Sequence, residues 1–205
     1  RVSLVSSVRT RVLAFDGLRG VAVLLVVLFH IWLELLANHG RLSLASILAI
    51  GWVGVDIFFV LSGFLITTIL LNARGSPHYF RDFFARRALR IFPAYFVLLV
   101  VITLVVISAP GHGSNDFGFL RDNLVWLWLF LQNMVVAIAQ RPYGYGLNHL
   151  WSLAIEAQFY LLWPFAVRYL SVAHLKLLAI GLLLLSFASR FLIYGSGGTF
   201  WTIYF

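Results

Sequence analysis

Six apolar stretches, each long enough to cross a bilayer, restrict what this sequence can fold into. In hydrocarbon every backbone N–H and C=O group needs a partner within the protein, and an α-helix of about 20 apolar residues supplies all of them. The predicted spans cover about 14–37, 47–71, 91–109, 121–139, 149–169 and 175–194. The linkers between them are short, with no evident soluble domain or internal repeat. The sequence therefore predicts an all-α, polytopic transmembrane helix bundle.

The composition agrees with a membrane protein and argues against a nucleic-acid-binding one. Hydrophobic residues make up 62% of the 205 residues and charged residues only 11%, whereas charged residues approach about a quarter in soluble domains. The net charge of +8 comes from basic residues at the ends of apolar runs, where they contact anionic lipid headgroups. Membrane lipids are therefore expected partners and nucleic acid is not. The chain has no cysteine, which excludes thiolate metal sites and a cysteine nucleophile, and no metal site is predicted.

The distribution of basic residues predicts a cytoplasmic N-terminus. With six spans, nine basic residues fall on the inner side and four on the outer side, which follows the positive-inside rule. The inner set is Arg1, Arg9, Arg11, Arg74, Arg81, Arg86, Arg87, Arg90 and Arg141. The outer set is Arg41, Arg121, Arg168 and Lys176. The connection between the fifth and sixth spans is the exception, because both of its basic residues fall outside.

The first span carries ionisable side chains within its apolar sequence. Arg19 and His30 are eleven residues apart, so they lie within about 20° of one helix face and roughly 16 Å apart along the axis. Glu34 follows His30 by one turn and is placed to orient an imidazole. Charges at membrane depth are costly and usually face a bundle interior or a cavity. The alternative is that Arg19 and Glu34 reach the two interfaces and His30 only bonds a neighbouring helix.

The second span contains an acid and a pair of small residues. Ser62 and Gly63 permit close helix packing or a kink, as do Gly51 and Gly54, and packing is the favoured interpretation for these small residues. An unpaired Asp56 carboxylate in the span has to meet an arginine or become protonated. Asp56 is therefore expected to be either part of a structural ion pair or a site residue.

Three arginines precede the third predicted span. Arg86, Arg87 and Arg90 lie about one turn apart, and Pro93 disfavours a helical conformation at Phe92, so a break is expected there. One interpretation is that these charges only set topology. The other is an anion cradle, since three guanidinium groups at one mouth suit a phosphorylated donor.

The fifth span repeats the polar pattern of the first. His149 and Glu156 are seven residues apart and share a helix face with Ser152 and Tyr160. These residues predict a second polar wall, either of a catalytic pocket or of a packing or proton-relay network.

Four motifs in order resemble the integral-membrane acyltransferase type 3 family. They are FDGLRGVAVLLVVLFH at 15–30, GWVGVDIFFVLSGFLI at 51–66, RRALRIFPAY at 86–95 and HLWSLAIEAQFYLLWP at 149–164. The family pattern of an arginine followed by a histidine maps onto Arg19 and His30. Its basic pair maps onto Arg87 and Arg90, and the acid of its fifth-span motif onto Glu156.

The resemblance implies an O-acyltransferase that moves an acyl group, expected to be acetyl, from cytoplasmic acyl-CoA to a saccharide or another hydroxylated acceptor. His30 and Glu156 are then the expected catalytic residues. Arg19, Arg86, Arg87 and Arg90 are expected to bind the donor, with support from Glu34, Asp56, Ser62, His149 and Tyr160. Acyl-CoA is a substrate, and no permanently bound cofactor is expected.

The family also implies a multi-pass protein of the bacterial inner membrane with about ten spans. Residues 1–205 then form a single acyltransferase domain, truncated on its C-terminal side, with six spans present.

Two other functions fit the same residues. A proton-coupled secondary transporter would use Asp56, Glu156 and the histidines as a relay and would show inverted repeats. A structural membrane subunit would pair its polar groups and leave no pocket.

Overall fold

The computed structural model describes residues 13–39, 50–108, 115–144 and 147–197, and within these ranges every regular element is helical. The all-α prediction is confirmed. The helices are α1 (Leu13–His39), α2 (Val53–Ala73), α3 (Tyr79–Ser108), α4 (Asn115–Asp122), α5 (Leu124–Trp128), α6 (Gln132–Ala139), α7 (Leu150–Tyr169) and α8 (Val172–Gly195). A short 3-10 turn, Leu147–His149, precedes α7.

Four of the described helical segments are long and apolar enough to cross a membrane. They are Ile50–Ala73, Tyr79–Ser108, Leu150–Tyr169 and Val172–Gly195. Within α1 the apolar part, Gly17–Ile31, is shorter. Much of this surface remains exposed, as at Leu184 and Leu185 of α8. Since soluble proteins rarely expose apolar surface on this scale, the chain is an α-helical membrane protein.

The chain divides into two compact units, with the boundary inside α2 between Thr68 and Ile69. In the first unit, α1 and the first part of α2 run antiparallel. A Cβ atom added at Gly54 would lie 2.5 Å from the Ala22 carbonyl oxygen, and one at Gly51 would collide with the Leu25 carbonyl oxygen. These glycines therefore let the two backbones pack closer than any side chain would permit, as expected for small residues in membrane helices.

In the second unit, α3 and α7 run antiparallel and are joined mainly by aromatic side chains. The Tyr79 hydroxyl donates to the Pro164 carbonyl at 3.0 Å. One turn of α7 away, the Phe83 and Tyr160 rings meet edge to face with centroids 6.2 Å apart. Residue numbers rise along α3 where they fall along α7, so the two helices are antiparallel where they meet.

The break expected at Pro93 does not occur, because α3 continues as a helix from Tyr79 to Ser108. A proline in a membrane helix is tolerated when neighbours or small backbone adjustments satisfy the freed carbonyl group. The observed α3 also begins twelve residues earlier than the predicted start at 91. Its 30 residues reach about 45 Å, longer than a hydrocarbon core of about 30 Å, so its first turns extend into the interfacial region.

The fourth predicted span, 121–139, is wrong, because this region turns back on itself. The segment 115–144 is here called the re-entrant hairpin. It runs through α4 and α5 to a turn at Leu129–Leu131 and then returns through α6. At its open end Arg141 Nη2 lies 2.6 Å from Asp116 Oδ1, and the Tyr143 hydroxyl donates to the Asn123 carbonyl at 3.3 Å. Burial raises the pKa of the Tyr143 phenol, and the nearby Tyr95 phenol adds to the effect, so this donor stays protonated.

The tip of the hairpin, Leu129–Leu131, packs against the middle of α3. Phe130 has the positive φ of 55° that reverses the chain, and its ring stacks on Tyr95 at 4.3 Å. The Tyr95 hydroxyl donates to the Leu127 carbonyl at 2.7 Å. From α7, Gln158 Nε2 donates to the Phe130 carbonyl at 2.8 Å and to Asn133 Oδ1 at 2.9 Å. Non-helical backbone is tolerated at membrane depth only where protein or a cavity surrounds it, and these contacts supply the protein.

Two arginines connect the ends of neighbouring helices in the second unit through hydrogen bonds to backbone carbonyls. Arg74 Nη2 donates to the Leu170 carbonyl at 2.7 Å and to the Val167 carbonyl, and Arg168 Nη1 donates to the Arg74 carbonyl at 2.6 Å. Arg74 and Arg168 therefore lie at the same end of the unit, whereas the six-span topology placed them on opposite sides. The re-entrant hairpin is the reason. Because its two ends meet, it adds no crossing between α3 and α7.

Candidate active site

Of the three clustered arginines Arg86, Arg87 and Arg90, Arg87 is the one that stacks on a ring of α7. Its Cζ lies 4.9 Å from the centre of the Tyr160 ring and 5.8 Å from the centre of the Phe83 ring. Arg87 is half-buried, whereas Arg86 and Arg90 are exposed. The three residues still lie within about two turns of one another, but the structure gives them two different environments rather than one common cradle.

Glu156 and Tyr160 of the fifth-span motif interact with each other. The Tyr160 hydroxyl donates a hydrogen bond to Glu156 Oε1 one turn earlier in α7. Tyr160 is only 5% exposed, and its ring lies between this carboxylate and the Arg87 guanidinium. The predicted polar wall of α7 is therefore present at Glu156 and Tyr160, and it contacts the arginine cluster of α3.

A cavity of about 360 Å³ opens beside Arg87. Arg87 and Ile91 line it from α3, Gln158 and Tyr160 line it from α7, and the hairpin tip Leu129–Leu131 forms a third wall. Its volume lies in the range of about 300–1,000 Å³ that is usual for small-molecule sites. A mostly apolar chamber with one cationic end suits an elongated ligand that carries an anionic group.

His149 does not join this group. It lies in the 3-10 turn before α7 and is exposed, with its carbonyl accepting from Ser152 Oγ at 2.9 Å. Seven residues place it about 10 Å from Glu156 along the helix axis. The shared face predicted for His149 and Glu156 therefore does not bring their side chains together.

His30, in the first unit, has a defined ring orientation. Its Nδ1 lies 2.8 Å from the Val26 carbonyl oxygen, one turn earlier in α1. A carbonyl oxygen only accepts, so Nδ1 is the donor in this contact.

Arg19 and Ser62 each place a polar atom in the interior of the first unit. Arg19 Nε and Ser62 Oγ are both buried without a hydrogen-bond partner among the described residues. Ser62 is 3% exposed. Buried polar atoms are normally paired, so unpaired ones at a suspected site are compatible with a ligand-binding role.

The other two predicted supporting residues of the first unit are Asp56 and Glu34. Asp56 lies in the first turn of α2 and is exposed. The positive end of the helix dipole stabilises a charge there, and the two interpretations of Asp56, as part of an ion pair or as a site residue, stay predictions. Glu34 lies on α1, but its side chain is outside the described part of the structure, as are Arg1, Arg9, Arg11 and Arg41.

Sequence reasoning missed the role of Gln158 and of the hairpin tip. The signal was weak but present, since Gln132 and Asn133 interrupt the predicted fourth span at the point where α6 begins. Both are buried, and Gln132 Nε2 donates to the Leu150 carbonyl at 2.7 Å. These amides connect the hairpin to the elements around it.

Antiparallel apolar helices and a cavity lined by an arginine, a glutamine and a tyrosine define a helical membrane protein with a candidate ligand-binding site. The acyltransferase domain family model matches residues 12–205. The chain belongs to this acyltransferase family, as its motifs predicted.

Two bacterial relatives illustrate the similarity. The peptidoglycan O-acetyltransferase OatA of Listeria monocytogenes is 35% identical over 204 residues, which are 92% of this chain and 30% of that protein. The O-acetyltransferase OatA of Staphylococcus aureus is 34% identical over 166 residues, 76% of this chain and 24% of that protein. The chain thus spans less than a third of the length of these relatives. No solved structure matches it.

Proposed function

We propose that this chain belongs to an O-acetyltransferase that takes an acetyl group from cytoplasmic acyl-CoA. The observation that carries the proposal is the cavity of about 360 Å³ beside Arg87, with Arg86 and Arg90 next to its cationic end. The cavity accommodates a flexible thioester arm, and the guanidinium groups provide charge-assisted hydrogen bonds to the phosphates of the donor.

The proposal requires the arginine end of the second unit to face the cytoplasm, where acyl-CoA is found. With the re-entrant hairpin, the basic residues of this end are Arg74, Arg81, Arg86, Arg87, Arg90, Arg168 and Lys176. At the other end are Arg121 and Arg141 of the hairpin, with Arg190 near the end of α8. The positive-inside rule then favours a cytoplasmic arginine end. This assignment also removes the exception that Arg168 and Lys176 made in the six-span topology.

In the proposed reaction, His30 is the general base. Its Nε2 takes the proton of the acceptor hydroxyl while the oxygen attacks the thioester carbonyl carbon. The C–S bond then breaks, the new ester forms, and the CoA sulfur leaves as a thiolate that is protonated to the free thiol. Arg19 would stabilise the oxyanion or hold the donor arm, and Glu34 would help to orient His30.

The acceptor is proposed from the relatives. The Listeria monocytogenes protein is named a peptidoglycan O-acetyltransferase, so a carbohydrate hydroxyl of the bacterial envelope is the acceptor that we propose here. A bacterial cell membrane is then the expected location, with the N-terminus in the cytoplasm.

The test is acetyl transfer from labelled acetyl-CoA by membranes that contain the intact protein, together with mass spectrometry of the cell-wall glycans. We expect His30→Ala to lose at least about a hundredfold in rate, since general base catalysis contributes that much or more. The matched control is His78→Ala, which changes an exposed histidine of the α2–α3 turn. Wild-type turnover by His30→Ala would refute the catalytic assignment.

A proton-coupled transporter is the second candidate, and the re-entrant hairpin is the observation that favours it, since transporters build binding sites from broken helices. The same labelled experiment separates the two functions. A transporter would move an unmodified substrate and leave the acetyl label on CoA, whereas the acyltransferase forms a new acetyl ester.

A further inference from the structure

Three side chains beside the cavity form a connected series. The Arg87 guanidinium lies over the Tyr160 ring at 4.9 Å, and the Tyr160 hydroxyl donates to Glu156. The Phe83 ring, 4% exposed, meets Tyr160 edge to face and forms a second wall at 5.8 Å from Arg87. Tyr160 is therefore the link between the acid of α7 and the arginine of α3.

This arrangement limits the positions that Arg87 can adopt. A long arginine side chain has many rotamers, and a cation–π contact favours those that keep the guanidinium over the ring. A guanidinium held by its face still presents N–H donors along its edge, which suit a phosphate. The hydrogen bond to Glu156 in turn prevents the Tyr160 ring from moving away, and it increases the electron density of the ring that faces the cation.

We propose that Tyr160, held by Glu156, is a positioning residue that keeps the Arg87 guanidinium at the cavity so that it binds an anionic phosphate of the donor. The proposal rests on the proposed function, because it requires a phosphorylated thioester as the donor. It gives Glu156 a role through Tyr160 and Arg87 on the donor side of the reaction. It assigns no proton transfer to Tyr160.

The experiment compares two donors that differ in their phosphates. Acetyl-CoA carries the phosphates that Arg87 would bind, whereas S-acetyl-pantetheine has the same thioester arm and none of them. For Tyr160→Leu we expect KM for acetyl-CoA to rise by on the order of tenfold, with kcat within about twofold of wild type. For S-acetyl-pantetheine we expect KM to change by less than about twofold, because no phosphate is present to be misplaced.

A structural role for Tyr160 predicts a different result, since a general disturbance of α7 would change the kinetics with both donors alike. Equal changes with the two donors, or no change with acetyl-CoA, would overturn the proposal. The matched control is Tyr169→Leu, the same substitution at an exposed tyrosine of α7 that does not line the cavity. We expect this variant to keep the wild-type KM for both donors.

Two milder variants keep the proposal testable if Tyr160→Leu does not fold. Tyr160→Phe retains the ring and loses the hydrogen bond, and Glu156→Gln retains an acceptor and loses the charge. We expect each to raise KM for acetyl-CoA by about threefold and to leave that for S-acetyl-pantetheine unchanged. An unchanged KM for acetyl-CoA in both variants would contradict the role of the Glu156 hydrogen bond.

Binding of CoA alone separates failure of this proposal from failure of the proposed function. If wild-type membranes transfer no acetyl group and the purified protein does not bind CoA, the proposed donor is wrong and this inference falls with it. If the wild type binds CoA and Tyr160→Leu binds it equally well, only the positioning role is wrong.

Discussion

The helix pair of the first unit and the α3–α7 pair of the second unit are held together by different means. Between α1 and α2, Gly51 and Gly54 bring the two backbones into direct contact. Between α3 and α7, the contacts are rings such as Phe83 and Tyr160 and a hydrogen bond from Tyr79 to the backbone. Aromatic side chains keep the helices farther apart than glycines do, so a cavity has room beside the second pair.

The two units also differ in the hydrogen bonds between their elements. Each has two buried polar atoms without a hydrogen-bond partner among the described residues, Arg19 Nε and Ser62 Oγ in the first and Arg74 Nε and Gln132 Oε1 in the second. In the second unit, however, Tyr95, Gln158 and Arg74 Nη2 donate to backbone carbonyls of other elements. Closely packed helices leave little space for partners, whereas wider spacing lets long polar side chains reach across. Stability is therefore expected to depend on backbone contact in the first unit and on side-chain hydrogen bonds in the second.

The largest effect is expected at Gly54. Because a Cβ there would lie 2.5 Å from the Ala22 carbonyl oxygen, Gly54→Leu has to separate the two helices, at a cost of about 3 kcal/mol or more. Thermal unfolding of the purified protein in detergent measures the loss. The control is Gly63→Ala in the same helix, where an added Cβ would meet nothing within 4 Å. An equal loss in both variants would contradict the backbone-contact explanation.

A smaller effect is expected at Gln158. Gln158→Leu leaves the Phe130 carbonyl and Asn133 Oδ1 without their donor from α7, at a cost of about 1–3 kcal/mol. The rate of acetyl transfer should fall by more than the loss of folded protein explains, because the same residues shape the cavity wall. Melting temperature and transfer rate are measured side by side, with the exposed Ser186→Ala of α8 as the reference. Full activity in Gln158→Leu would show that acetyl transfer does not depend on the hydrogen bonds from Gln158 to the hairpin.

Tyr79→Phe tests a single hydrogen bond between α3 and α7. It removes the donor to the Pro164 carbonyl and keeps the ring, so we expect a loss of about 1 kcal/mol, typical of interhelical hydrogen bonds in membranes. The decrease in unfolding free energy is measured by denaturant titration in detergent. A loss as large as that of Gly54→Leu would mean that the two helix pairs do not differ as proposed.

The smallest effect is expected at the open end of the re-entrant hairpin. Asp116 is 53% exposed in its ion pair with Arg141, and exposed ion pairs contribute about 0–1 kcal/mol. We therefore expect Asp116→Asn to change the unfolding free energy by less than about 1 kcal/mol and to lose that small effect in high salt. A larger change that persists in high salt would mean that this pair is essential to the hairpin.

The predicted spans 149–169 and 175–194 lie within a few residues of the observed α7 and α8, because each is a single apolar run of helical length. The fourth predicted span failed because apolar content alone does not distinguish a crossing helix from a hairpin of two short helices. Two observations pointed to the error: the amides Gln132 and Asn133 in its middle, and the basic residues Arg168 and Lys176 on the wrong side. Each has a direct structural explanation in the re-entrant hairpin.

For the candidate site, the sequence predicted which residues of one helix are neighbours, but it did not predict the contacts between helices. Spacing along one helix identified Glu156 and Tyr160 as neighbours, because i and i+4 positions always lie on one face. The contact of Arg87 with Tyr160 depends on how α3 and α7 pack, which no local pattern encodes.

The sequence by itself determined the helical membrane class and the family, because hydrophobic length and motif spacing are local properties. Only the tertiary structure decided that the chain re-enters rather than crosses, that Arg74 and Arg168 share one end, and that Arg87 meets Tyr160. These features arise from contacts between residues far apart in the chain. Such contacts depend on which side chains fit together once the helices have formed.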